Sequence, residues 1–317
     1  MPKYFMTKIE NTPSGASFTV TIGNEKTTEV EVDDWTPSNL PLSPSKINTF
    51  LQCPRNFYHR YIEKLPDKLT LHLFRGTIVH DILERIFDQE YKYPSQWRNG
   101  EPQEWAILEF RKQWEARKEK MPWLFQDPKI DADVMERETI DLLVNFCHRI
   151  EKKLYELVDW KVARSKDMAL KQLRPHFAEM RIHNKNLSIR GIVDVVAKDF
   201  EGNISIVDYK TSKRYGHWLP EEYYRQLIIY ALMYYEETGV VPKFAGIDWL
   251  RYDDIMFVAI NDENLREARE LIKGIHNEIK KRGDDVEQYE MVPQTLCRWC
   301  AFYKKPCKPK GIYSKKK

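Results

Sequence analysis

The residues best suited to chemistry sit in two short apolar stretches, Gly191-Ile192-Val193-Asp194 and Val207-Asp208-Tyr209-Lys210. Each reads as a β-strand carrying one acid among apolar neighbours. Between them, Asp199-Phe200-Glu201-Gly202-Asn203 supplies turn residues. A hairpin turning about Glu201 sets Asp194 directly opposite Asp208, with β-carbons ~5 Å apart on one face. Lys210, two residues beyond Asp208, projects to that same face. Two facing carboxylates repel, and burying them uncompensated is costly. A divalent cation removes the conflict, and oxygen ligands suit Mg²⁺ or Mn²⁺. A lysine beside such a metal can orient or deprotonate a water and stabilise charge on a phosphate. The same residues could instead make a surface hairpin with a cross-strand Asp–Lys pair. A one-residue bulge at Gly202 would break the facing geometry.

Cysteine is the second chemical feature. Cys297-Arg298-Trp299-Cys300 is a CxxC, Cys307 follows it, and Cys53 lies far upstream. Cys147 falls inside a helical pattern with Leu143 and Ile150, which suits a buried structural thiol. No apolar run is long enough to span a membrane, and Met1-Pro2-Lys3-Tyr4-Phe5 lacks the apolar core of a secretory signal. The expectation is a cytoplasmic chain, in which these cysteines form no disulfide framework. A net charge of +3 excludes a general polycation. Basic residues nevertheless concentrate at Lys308-Pro309-Lys310 and Lys315-Lys316-Lys317, and Arg111 to Lys120 mixes Lys, Arg and Glu with Trp114. Such patches suit phosphate contact, although a solvated surface accounts for them equally.

The elements that must position these groups follow from periodicity. Residues 1 to about 36 alternate like strands, with a hairpin suggested at Gly23-Asn24, and Pro37 to Pro41 reads as a linker. Ser43-Pro44 opens a helix, as N-cap and first helical residue, which Cys53-Pro54 interrupts. Gly76 to Phe87 has the spacing of an amphipathic helix. The stretch from about 91 to 171 is helical in pattern and reads as an insertion. Strands are predicted at Phe177–Ile182, Leu187–Lys198, Ile204–Lys210, Ala245–Arg251 and about Ile255–Ile260. Helices are predicted from Pro220 to Glu237, ending at Gly239, and from Glu263 to Lys281.

The set Gly76 with His80, Gly191-x-x-Asp194, Asp208-Tyr209-Lys210-Thr211 and Tyr223-x-x-Gln226-Leu227-x-x-Tyr230 resembles, in content and order, the RecB-like branch of the PD-(D/E)XK nuclease superfamily. The resemblance spans Ser43 to Cys307. It implies that His80, Asp194, Asp208 and the main-chain carbonyl of Tyr209 hold Mg²⁺ or Mn²⁺, and that Lys210 is the catalytic lysine. Gln226 and Tyr230, one helical turn apart, would position the water and the DNA strand. Glu179 falls on a strand where relatives often carry an acid. The cysteines resemble those of CRISPR-associated four-cysteine nucleases and AddB-type nuclease domains, where one precedes the core and three follow it. By that likeness Cys53, Cys297, Cys300 and Cys307 would bind a [4Fe–4S] cluster that staples the two ends together. A structural Zn²⁺ is the alternative, and CxxC spacing does not choose between them.

The expected fold is therefore α/β: a restriction-endonuclease-like core with a mixed central sheet flanked by helices, a helical insertion and an iron–sulfur staple. Residues 1–40 would be a β extension and linker, and 41–317 the nuclease domain, with a cysteine-rich segment at 291–307 and a basic tail at 308–317. The expected activity is metal-dependent hydrolysis of DNA, as an exonuclease on single strands or duplex ends in recombination, repair or viral replication. Trimming of spacer precursors in CRISPR adaptation and a catalytically inactive DNA-binding module are the alternatives. A helicase, recombination or CRISPR-adaptation protein would be the partner. No GxxxxGK[ST] P-loop is present, so no fused helicase is expected.

Overall fold

The computed structural model describes residues 39–89, 93–214, 216–252 and 254–308 in full, and residues 4–12, 15–22 and 25–30 by their backbone. Strands β1 (Tyr4–Thr12), β2 (Gly15–Ile22) and β3 (Glu25–Val30) make an antiparallel three-stranded sheet. The Gly23-Asn24 turn, most of the linker and the basic tail beyond Lys308 lie outside the described residues.

The site rests on a second sheet, in the order β4 (Phe177–Asn184), β5 (Ile189–Lys198), β6 (Ile204–Lys210), β7 (Phe244–Trp249), β8 (Ile255–Ala259). Short turns make β4–β5, β5–β6 and β7–β8 antiparallel, whereas β6 and β7 run parallel. That parallel pair requires a crossover, which helix α8 (Glu221–Thr238) supplies. The sheet is mixed for this reason, as predicted.

The β5–β6 turn realises the predicted hairpin. Asp199 Oδ1 accepts from the amides of Glu201 (2.9 Å) and Asn203 (2.8 Å), and Gly202 takes the left-handed φ of +88° that the turn requires. Val195 pairs with Val207 and Val196 with Ile206, with no bulge. The pairing ends there, one residue short of Asp194 and Asp208, and beyond it the Tyr209 amide of β6 donates to the Asp194 carboxylate of β5.

Helices cover both faces. On one, α1 (Pro44–Gln52), α8 and α9 (Asp262–Arg282) bury Ile47, Leu227 and Ile272 against Val193, Ile206 and Ile247. Ser43 caps α1 by accepting from the Lys46 amide at 3.2 Å. The helix ends because Cys53, ahead of Pro54, is forced to extended backbone. The short α2 (Pro54–Phe57) and a π-helical turn at Tyr58–Ile62 follow. On the other face, α3 (Leu71–Ile86) packs with α4 (Pro94–Arg98), α5 (Glu101–Lys120), α6 (Ala132–Asp159) and α7 (Lys166–Leu173). Their core includes Ile82, Trp114 and Phe146 and meets the sheet at Val207 and Tyr209. Helix α3 starts earlier than its apolar spacing suggests, because Thr70 caps it by accepting from the Leu73 amide. The helical stretch breaks at 121–131, where Pro122 and Pro128 remove backbone donors. No helix among the described residues is long and apolar enough to cross a membrane.

Candidate active site

Strand β6 alternates between the two helical layers. Ile204 and Ile206 enter the α8 core, Val207 and Tyr209 the opposite one, and Asp208 and Lys210 continue the α8 side. There Gln226 Nε2 donates to Asp208 Oδ1 at 2.7 Å and approaches the Tyr230 hydroxyl at 3.3 Å. Lys210 forms an ion pair with Asp208 Oδ2 and stands 5.4 Å from the centre of the Tyr223 ring.

A third acid completes a row. Ala178 pairs with Val195 and Met180 with Val193, which brackets Glu179 opposite Asp194. Glu179, Asp194 and Asp208, on three neighbouring strands, thus form a row along one cleft. Glu179 reaches its place with a left-handed φ of +49°, a strained conformation for a side chain of this kind. His80, on the face of α3 that meets the strands, brings Nδ1 to 3.3 Å from Asp194 Oδ1 and 3.9 Å from Glu179 Oε1. One ligand atom each from His80, Glu179 and Asp194 lies within 4.8 Å of the others. Asp208 stands beside this set, turned toward Lys210 and Gln226. The Tyr209 amide donates to Asp194 Oδ2 at 2.7 Å, which fixes that carboxylate between strands.

The electrostatics follow from crowding. Burial opposes a charge on His80, but hydrogen bonds to Asp194 and Glu179 and the nearby negative charge of Asp208 outweigh it and push its pKa up to about 10. Asp208 is raised first by burial and then by Asp194, against the lowering effect of Lys210. Burial disfavours the Lys210 ammonium, yet Asp208 holds it above the ordinary lysine range. The acids thus draw positive charge to the row. A donor set of carboxylate oxygens and one imidazole gathered within 4.8 Å fits a divalent cation.

These groups open into a cleft of about 860 Å³ lined by α1, α3, α8 and the ends of β5 and β6. All of His80, Asp194, Asp208, Tyr209, Lys210, Gln226 and Tyr230 reach it, as does Glu179. Gly191 permits this arrangement: a β-carbon there would lie 3.0 Å from Met233 and 3.3 Å from Tyr230. Sequence reasoning missed Arg75, whose Nη2 donates to the Thr211 carbonyl at 2.9 Å and braces the loop after Lys210. Its signal is a basic residue among the buried positions Leu71, Phe74 and Ile78 of α3.

The four cysteines Cys53, Cys297, Cys300 and Cys307 line a separate cavity of about 260 Å³. Burial first, then the neighbouring sulfurs, raise Cys300 and push Cys307 up to about 11. Four gathered sulfurs of this kind would, as thiolates, suit a soft cationic centre, whose charge would offset their mutual repulsion. Cys147 lies apart, buried in α6, where burial raises its pKa to about 12.

Comparison with curated proteins finds no match. Comparison with protein families matches residues 41–307 to the PD-(D/E)XK nuclease superfamily. That span runs from the first core helix to the last cysteine and takes in the row of acids, so the chain belongs to this superfamily.

Proposed function

We propose that the chain is a divalent-metal-dependent deoxyribonuclease that hydrolyses phosphodiester bonds at single strands or DNA ends, in the manner of RecB-like exonucleases of recombination, repair or replication. The observation that carries the reading is the row Glu179–Asp194–Asp208 with Lys210 paired to its last member. His80, Glu179 and Asp194 would hold Mg²⁺ or Mn²⁺, with Asp208 and the Tyr209 carbonyl beside them. When bound, the cation neutralises the scissile phosphate and lowers the pKa of a water. The Tyr209 amide fixes Asp194, so that carboxylate needs no reorganisation. Lys210, kept protonated by Asp208, stabilises charge that develops on the phosphate. Gln226 holds Asp208 in place and, with Tyr230, lines the approach to the reacting water.

The cysteine cavity supports an iron–sulfur reading. Cys53, Cys297, Cys300 and Cys307 share one cavity of about 260 Å³, and their placement, one before the core and three after it, resembles that of four-cysteine nucleases. A [4Fe–4S] cluster would join the α1–α2 break to the C-terminal segment.

The test is incubation of the purified protein with end-labelled single-stranded and duplex DNA, with Mn²⁺ or EDTA. Release of short labelled products in Mn²⁺ and none in EDTA is expected. Equal products under both conditions, or none with any metal, overturn the reading.

A further inference from the structure

We infer that a second groove, which shares its lip residue His72 with the active-site cleft, binds single-stranded nucleic acid and feeds it to the acids. The inference rests on the nuclease reading above and adds the path of the strand. Exposed His72, in the first turn of α3, lies on the lip of both spaces. From His72 the second groove, of about 710 Å³, runs between the loop before α3, the loop before α6 and the cysteine-rich segment. Lys68, Lys129, Arg298 and Lys305 line it against two acids, Asp67 and Asp127. Asp67 is itself paired with Arg60 at 2.9 Å. Lys68, Lys129 and Lys305 are exposed and have no ion-pair partner among the described residues.

Trp299 identifies the occupant. It stands between the CxxC sulfurs, is 69% exposed, and lines both the cysteine cavity and this groove. A bare indole beside several cations matches unpaired nucleotides, whose bases stack on aromatics while lysines follow the phosphates. A duplex offers the same phosphates but no free base face. The cysteine segment thereby becomes a wall of the strand path, and the cysteine centre fixes the Trp299 platform.

The experiment measures binding in EDTA of labelled single-stranded oligonucleotides of three and twelve residues and of a blunt duplex, with cleavage in Mn²⁺ followed in parallel on the unaltered protein. Trp299→Ala is expected to weaken binding of the twelve-residue strand roughly 10-fold or more, at ~1–3 kcal/mol per stacked base, with recovery in Trp299→Phe. A second variant, Lys68→Ala with Lys129→Ala, lies away from the cysteines. It is expected to reduce the salt dependence of binding by about 1.4 in log–log slope, at ~0.7 per lost phosphate contact on a single strand. Cleavage by the unaltered protein with unchanged twelve-residue affinity in both variants overturns the strand path and leaves the nuclease reading standing. Equal weakening on the blunt duplex overturns the assignment to a single strand. An unaltered protein that neither cuts nor binds any of these DNAs overturns both.

Discussion

The Lys210 ammonium is locked to Asp208 inside the cleft and not spread along a binding surface, and that position separates catalysis from affinity. On the proposed mechanism, removing it deletes charge stabilisation needed mainly in the transition state, where one such interaction is worth ~3 kcal/mol. Lys210→Ala is therefore expected to lower kcat by 100-fold or more while DNA affinity changes little, since many cations share the phosphate contacts. Asp208→Ala should also stop cleavage, but by loosening the hold on metal, so excess Mn²⁺ restores part of the activity there and not in the lysine variant. Turnover and affinity on the same labelled strand check both, and a Lys210→Ala protein that cuts at the native rate refutes the assigned site. At this scale the sequence was informative for a stated reason. Asp194 and Asp208 stand in apolar strands, where an acid is conspicuous, and their equal distance from Glu201 made the register readable. Glu179 was less legible. It belongs to the set because of a left-handed backbone turn inside a strand, and nothing in strand periodicity announces that.

Between elements, a buried ion pair helps to tie the helical layer of α3 to α7 to the sheet. Arg149 of α6 donates to both carboxylate oxygens of Asp248 in β7, at 2.8 and 3.0 Å, and to the Tyr252 carbonyl at 3.3 Å. Both residues are under 10% exposed. Breaking such a pair leaves a buried charge without its partner and costs about 3–5 kcal/mol. Arg149→Ala should thus lower Tm by on the order of 10 °C. Arg149→Met combined with Asp248→Leu, which removes both charges, should recover most of that loss. Thermal unfolding of the two variants gives the comparison, and an unshifted Arg149→Ala shows that the pair does not secure the layer. Element types were mostly readable, because caps such as Ser43 and Gly239 and breakers such as Pro54 act locally. The partner of Arg149 was not, since a pair 99 residues apart leaves no mark in either segment's pattern. The same holds for Arg75, which braces a carbonyl 136 residues away.

Over the whole molecule, the two ends of the superfamily match meet at Cys53. The break between α1 and α2 holds the C-terminal segment by direct hydrogen bonds: Arg55 Nε donates to the Tyr289 carbonyl at 2.7 Å, and the Arg55 amide to the Glu290 carbonyl at 3.1 Å. Gln294 Nε2 donates to the Gln52 carbonyl at 3.2 Å, and Tyr289 packs on Phe57 and Phe50. A centre bound by the four cysteines would therefore close a preformed joint, and its binding energy would add to folding. On the proposed reading Cys53→Ser removes the ligand that reaches across the chain, so two effects should appear together in protein purified without oxygen. Bound iron, with its broad absorbance near ~400 nm, should be lost, and Tm should fall by on the order of 10 °C, at about 2–4 °C per kcal/mol for a large domain. The protein should still fold at low temperature, because the hydrogen bonds and the aromatic cluster remain. Cys147→Ser controls for the chemistry of the change. That thiol lies in the helical layer, so its variant should keep the iron of the unaltered protein. Stoichiometric zinc and no iron in the anaerobic preparation would replace the cluster with a zinc staple. Equal iron in Cys53→Ser and the unaltered protein would remove Cys53 from the ligand set and with it the idea that the centre joins the two ends.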